Sequence, residues 1–221
     1  MNTHGFLDQL LKTAQQSVGD LTGGKGIGGD FGKGALAGGA LGLLLGNRRV
    51  RKMGGKVAIY GGLAAVGALA YKAYGDWKQQ QGGAGAASAA SQTFDALPPA
   101  EIESHSQAIL KALIAAAKAD GHVDDRERQV IEGEFSRLDA APEVRQWLQA
   151  ELQKPLDPAE VARAATSPEM ASEMYLASLL AVDEQNFMER AYLDELARQL
   201  KLDDGLKARL EQQMKEAGDA V

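Results

Sequence analysis

The stretch SPEMASEMYLASLLAVDEQNFMERAYLDELARQL, residues 167–200, decides the fold. Ser167-Pro168-Glu169 opens it with an N-cap residue, a first-turn proline and an early glutamate. Met174, Leu176, Leu179 and Leu180 then recur at helical spacing. A short polar turn follows, and Tyr192, Leu193, Leu196 and Leu200 take up the same period. Two apolar helices joined by a turn leave no room for a strand.

The pattern continues outward on both sides. Leu206, Leu210 and Met214 make a further helix downstream. Upstream, Asp157-Pro158-Ala159-Glu160 supplies an N-cap, a first-turn proline and a capping-box glutamate. Pro142 with Glu143 opens another helix, carrying Trp147, Leu148 and Leu152. Before that stand two apolar faces: Ile102, Ile109, Leu110, Leu113, Ile114 and Ala117, then Val130, Ile131, Phe135 and Leu138. Residues 99–218 are thus expected to form a compact all-α bundle of about seven helices, long enough to bury its own core.

The remainder of the chain reads differently. Residues 76–98, rich in Gln, Gly, Ala and Ser and closed by Pro98 and Pro99, read as a flexible linker. Residues 33–75 read as a glycine-rich membrane-associating segment. Within it, GALAGGALGLLLG (34–46) is uncharged, and Gly34, Gly38, Gly42 and Gly46 repeat every four residues. That period places them on one helix stripe, where a second helix can approach closely, so self-association through this stripe is an expected contact. NRRVRKMGGK (47–56) holds five positive charges and no negative one, and VAIYGGLAAVGALAYKAY (57–74) follows. Tyr60, Tyr71 and Tyr74 suit an interface, and Lys72 can snorkel. Gly61, Ala65 and Leu69, or Ala58, Gly62 and Val66, offer small-residue faces.

A spanning helix needs about 20 apolar residues. Residues 57–74 approach that length and 34–46 fall short of it. Three arrangements stay open: one span at 57–74 with the first stretch lying shallow or packed beside it, a compact hairpin with both stretches inserted, or a water-soluble glycine-rich segment or subunit interface. The basic cluster prefers the cytoplasmic side. A span directly after it places the helical domain in the periplasm of a bacterial inner membrane.

Residues 1–32 form an N-terminal segment that starts as a short amphipathic helix, with Phe6, Leu7, Leu10, Leu11, Ala14 and Val18 near one face. It either packs on its neighbours or lies on a membrane surface. It lacks the charge and apolar pattern of a secretory signal. The following GDLTGGKGIGGDFGKG (19–34) matches nucleotide-binding loops only by chance. Gly26 stands where a phosphate loop needs Ser or Thr, and no strand precedes the glycines.

Charge divides the chain as well. Residues 1–75 carry nine Lys/Arg against three Asp/Glu, and residues 76–221 fifteen against twenty-seven. The basic, apolar part suits anionic headgroups; the acidic part argues against a nucleic-acid surface. The absence of cysteine removes thiolate nucleophiles, disulfides and Cys-ligated zinc.

One local pattern occurs twice in the acidic part. In AAAKADGHVDDRERQVI (115–131) and SLLAVDEQNFMERAYL (178–193) an apolar helix ends at an aspartate, Asp120 or Asp183. A polar turn follows, and the next helix carries a glutamate one turn in, Glu127 or Glu189. This ADG-x5-E turn and its D-x5-E partner resemble the TerB-like family, helical domains related to tellurite-resistance proteins. The glycine-rich basic segment ahead of them narrows the likeness to the YebE-type inner-membrane branch. The resemblance implies an all-helical fold, an envelope-associated role linked loosely to stress and no established enzyme activity. It also implies Asp120, Glu127, Asp183 and Glu189 as ligands of a divalent cation.

Four carboxylates at two helix ends would make a hard oxygen site for calcium or magnesium. The turns have a second reading, because Asp124-x-x-Glu127 and Asn186-x-x-Glu189 are capping boxes in their own right. An EF-hand is excluded: Gly121 is misplaced and Ile131 occupies the twelfth position, where a glutamate belongs. His4, His105 and His122 fit no zinc-protease spacing, and no nucleophile stands in a catalytic pattern. The expected function is therefore a non-enzymatic, membrane-anchored module that binds a divalent ion or a protein partner. The alternative is a soluble stress-response protein that oligomerises through its glycine-rich segment.

Overall fold

The computed structural model describes residues 2–7, 9, 63–80, 99–119, 141–182 and 187–219. Every regular element among them is helical, in agreement with the all-α expectation. We number the helices after a short N-terminal helical segment (residues 3–7) as α1 (Leu63–Gln80), α2 (Pro99–Ala117), α3 (Pro142–Gln153), α4 (Pro158–Ala162), α5 (Pro168–Ala181), α6 (Phe187–Gln199) and α7 (Asp204–Asp219).

The helix starts follow local chemistry. Ser167 is extended, and its hydroxyl accepts the Met170 amide at 3.1 Å. Asp157 does the same for Ala159 at 2.9 Å. Pro142, Pro158 and Pro168 each sit in a first turn, where a missing N–H costs nothing. Between α6 and α7 the chain reverses through Lys201, whose φ of 56° is left-handed. There the Leu202 amide reaches back to the Ala197 carbonyl at 3.1 Å, which satisfies an orphan group of the helix end.

α5 is the central element, packed by α1, α2, α6 and α7. From Met170 to Val182 only Glu173 is not fully buried. A helix apolar on all sides belongs inside a bundle, surrounded by partners. Ile109, Ala112 and Leu113 of α2, Leu193 and Leu196 of α6, and Leu206, Leu210 and Met214 of α7 complete the core.

α1 belongs to this same body. Ala70 and Ala73 are buried in the core, while Leu69, Tyr74 and Trp77 pack against it in part. Tyr71 and Lys72 face out. The boundary expected at residue 75 between membrane segment and linker falls inside this helix, and residues 76–80 are helical. Among the described residues no helix is long and apolar enough to cross a membrane. The glycines at 34, 38, 42 and 46, the basic cluster and residues 57–62 lie outside the described residues, as do residues 81–98 and the apolar face at 130–138.

The N-terminal segment also docks on the body. Phe6 and Leu7 enter the core, Leu7 with 0% exposure, in line with the packing reading of this amphipathic stretch. Leu10, Leu11, Ala14 and Val18 lie outside the described residues.

Candidate functional site

Of the four carboxylates expected to meet at the acidic turns, the described residues contain Glu189. It lies in the first turn of α6 and is 9% exposed. Asp120, Glu127 and Asp183 lie outside the described residues, as does His122. Among the described residues no group of three or more His, Asp and Glu is placed to hold a metal ion. Around Glu189 the helix start is sharply two-faced. Phe187 is 79% exposed and Met188 is exposed beside it, whereas Tyr192, one turn on, is buried. Burial raises the Tyr192 phenol well above its ordinary range, with the Ser178 hydroxyl pulling the other way.

A second feature is a groove of about 700 Å³ between the end of α1, the α4–α5 turn and the α6–α7 turn. Tyr74, Trp77, Leu202 and Leu206 contribute to its walls, with Arg163 and Lys201 among the lining residues. The Trp77 indole N–H donates to Asp203 Oδ1 at 3.0 Å, and the Gly205 amide donates to the same oxygen at 2.8 Å. Tyr74 lies with its ring centroid 5.7 Å from that of Trp77, and the Lys78 ammonium sits 5.6 Å from the Tyr74 centroid. One aspartate thereby ties α1 to the start of α7. Trp77 falls within the stretch expected to be linker. A large aromatic among Gln, Gly and Ala was the available signal that this residue had a core to join.

A third feature is polar and joins the N-terminal segment to α2. The Glu103 carboxylate accepts from the Thr3 amide at 3.0 Å and the Thr3 hydroxyl at 2.7 Å. The His4 amide and the Gln107 side chain also reach it, at 3.4 and 3.3 Å. Burial pushes this carboxyl upward, but the Thr3, Gln107 and His4 donors outweigh it and hold it below 4.5. Ser106 Oγ and His4 Nδ1 lie 3.4 Å apart. Two residues from Glu103, His105 pairs with Glu173, the one residue between Met170 and Val182 that keeps some exposure. Nothing in the local sequence marks either contact, because each joins residues 68 to 100 positions apart.

A lysine–glutamate cluster completes the polar inventory. Lys111 and Lys154 both pair with Glu160, at 2.9 and 3.0 Å, and Lys154 also meets the buried Glu151 at 2.5 Å. The two lysines hold Glu160 below the usual carboxylate range. Lys118 donates to the Glu151 and Lys154 carbonyls at the end of α3, and burial lowers its own pKa. A cation on the last carbonyls offsets the negative end of the helix dipole. This cluster joins α2, α3 and α4 and serves the packing of the bundle.

The geometry defines an all-helical bundle whose central helix is covered from both ends of the sequence. The sequence model of the family described as "Protein of unknown function (DUF533)" matches residues 30–214, and the chain belongs to that family. A Yersinia enterocolitica protein described as "Uncharacterized protein in ampR 5'region" is 32% identical over 122 residues, 55% of this chain and 88% of that protein. No solved structure gives a significant match. The matched span takes in the glycine-rich stretch, the basic cluster and most of the helical body together.

Proposed function

We propose that this DUF533 protein is a non-enzymatic, TerB-like interaction module held at the bacterial inner membrane by its glycine-rich basic segment. Its acidic body serves a divalent cation or a protein partner in an envelope-stress role, as the TerB-like resemblance implies. The observation that carries this reading is the docking of α1. That helix follows the apolar, basic part of the chain directly and enters the body through Ala70, Ala73 and Trp77. Whatever holds residues 34–62 therefore holds the body through a packed helix rather than through the Gln/Gly/Ala-rich linker. Five positive charges at 47–56 beside uncharged stretches supply the attraction and the apolar surface that membrane association needs.

For the ion, the supporting feature is Glu189, a carboxylate drawn into the fold beside an acidic turn. Calcium and magnesium are the candidate ions and Asp120, Glu127, Asp183 and Glu189 the candidate ligands. Calorimetric titration of the full chain tests this: a heat of binding lost in Asp120→Ala and Glu189→Gln supports the site, and no heat with either ion removes it.

The alternative is a soluble stress-response protein. Fractionation separates the two. Retention of the chain in the membrane pellet through a high-salt wash, with release by detergent, supports the membrane module. Release by salt alone favours a soluble protein that oligomerises through Gly34, Gly38, Gly42 and Gly46.

A further inference from the structure

We propose that the groove between the end of α1, the α4–α5 turn and the α6–α7 turn is a binding site for a small amphiphile with an apolar body and a carboxylate head. The site is built from described residues and does not depend on the membrane reading above.

The walls supply the apolar half. Leu200 and Leu206 are buried, whereas Tyr74, Trp77 and Leu202 are covered only in part. Half-covered apolar surface inside a concavity is what an apolar guest removes from water. The aromatic wall is already in place. The Trp77 indole N–H is fixed on Asp203 Oδ1 at 3.0 Å, and the Tyr74 ring lies tilted at 35° to Trp77. A preformed wall spares the ligand the entropy of ordering it. The volume of about 700 Å³ falls in the range of small-molecule sites, about 300–1,000 Å³.

The groove is recessed, and that decides between a small molecule and a protein face. Among the described residues the large apolar side chains that stand exposed are Tyr71, Leu156, Phe187 and Met188, and none of them lines it. A protein partner packs on apolar anchors spread over a broad accessible patch. Here the apolar surface lies below its rim, within reach of an inserted molecule.

Charge selects the head group. Residues 76–221 carry fifteen Lys/Arg against twenty-seven Asp/Glu, yet the described lining residues invert that balance, with Arg163 and Lys201 against Asp203. Both cations stand at exposed turn positions, Arg163 at the end of α4 and Lys201 at the left-handed residue between α6 and α7. Arg163 reaches Asp157 only at 4.0 Å, the outer limit of an ion pair. Lys201 has no ion-pair partner among the described residues. Asp203, by contrast, has its Oδ1 occupied by the Trp77 and Gly205 N–H groups. Apolar walls focus the field of the two cations on a monoanionic head. A cationic head meets like charge there, and the acidic body around the groove disfavours a dianion such as a phosphate monoester.

The chain carries two tryptophans, Trp77 and Trp147. In the full-length Trp147→Phe variant the fluorescence of Trp77 reports the groove alone. The probe is ω-bromoundecanoate, used below the concentration at which it aggregates, because bromine quenches an indole on contact. The expected result is saturable quenching, with the uncharged ω-bromo alcohol and the ω-bromo trimethylammonium analogue binding roughly tenfold more weakly. Adding Arg163→Glu and Lys201→Glu together should weaken the carboxylate by a similar factor, whereas Arg163→Lys with Lys201→Arg should retain it. Absence of saturable quenching overturns the proposal. So does equal quenching by all three probes, which would mark an apolar surface without head-group selection. Quenching that is indifferent to the charge reversal, or lost in the charge-preserving pair, overturns it as well.

Discussion

α1 and α5 are both apolar helices, and the bundle uses them in opposite ways. α5 is buried on every side, and from Met170 to Val182 its one partly exposed residue, Glu173, is paired with His105. Of the described side chains of α1, Ala70 and Ala73 are buried and Leu69, Tyr74 and Trp77 pack in part, while Tyr71 and Lys72 face outward. The difference teaches that a glycine- and alanine-rich helix is not by composition a lipid helix. Small residues let two backbones come close, and that advantage holds in a protein core as it does in a bilayer. Ala70 and Ala73 of α1 illustrate it: both are buried in the core of the bundle.

The largest expected effect falls on the central helix. Leu176→Ala removes a side chain with 0% exposure from a fully surrounded position and should destabilise the chain by about 2–5 kcal/mol. Denaturant unfolding measures it, and a loss below about 1 kcal/mol would mean that α5 is not central. Next comes Ala73→Leu on α1. Ala73 has 0% exposure, so the larger side chain has to displace its neighbours, at about 1–3 kcal/mol. An unchanged unfolding midpoint in the detergent-free protein would break the comparison, because a helix that is not docked has no need of a small residue there.

Ser167→Ala removes the cap of α5 and should cost about 1 kcal/mol, with Ser167→Asp restoring most of it. Gly75→Ala on α1 should act in the other direction. No atom lies within 4 Å of the added Cβ, so the helix gains propensity without a clash, worth up to about 1 kcal/mol. A loss of stability at this position would show that Gly75 meets a surface beyond the described residues. The smallest effect concerns the N-terminal segment. The Glu103 carboxyl is held below 4.5 in the folded chain, so its contribution is complete above that pH and is lost as pH falls through the lowered value. Proteolysis near residue 9 should accelerate over that acid range, and Glu103→Gln should accelerate it at neutral pH.

Much of the fold was legible from local pattern. The starts at Pro142, Pro158 and Pro168 were marked by first-turn prolines, the last two also by the caps Asp157 and Ser167, signals carried by three or four adjacent residues. Leu176 and Leu180 of α5, Leu193 and Leu196 of α6, and Leu206, Leu210 and Met214 of α7 repeat at helical spacing and enter the core, whereas Phe187 and Met188 of α6 stay exposed. The candidate acidic site was legible only as a repeated motif, with Glu189 the one member that the described residues place. The partners of α1 and of residues 3–7 were not legible at all. Trp77 meets Asp203 and Thr3 meets Glu103 across more than ninety residues, and no periodicity reports such a distance.

By itself, then, the sequence determined that the acidic half is a bundle of helices, because helix period, caps and prolines are properties of short windows. It also determined the charge division and the absence of cysteine chemistry. Only the tertiary structure decided that α5 is surrounded and that α1 docks on it while keeping Tyr71 and Lys72 exposed. Burial depends on what stands opposite a face, and α1 and α5 look alike until their neighbours are known.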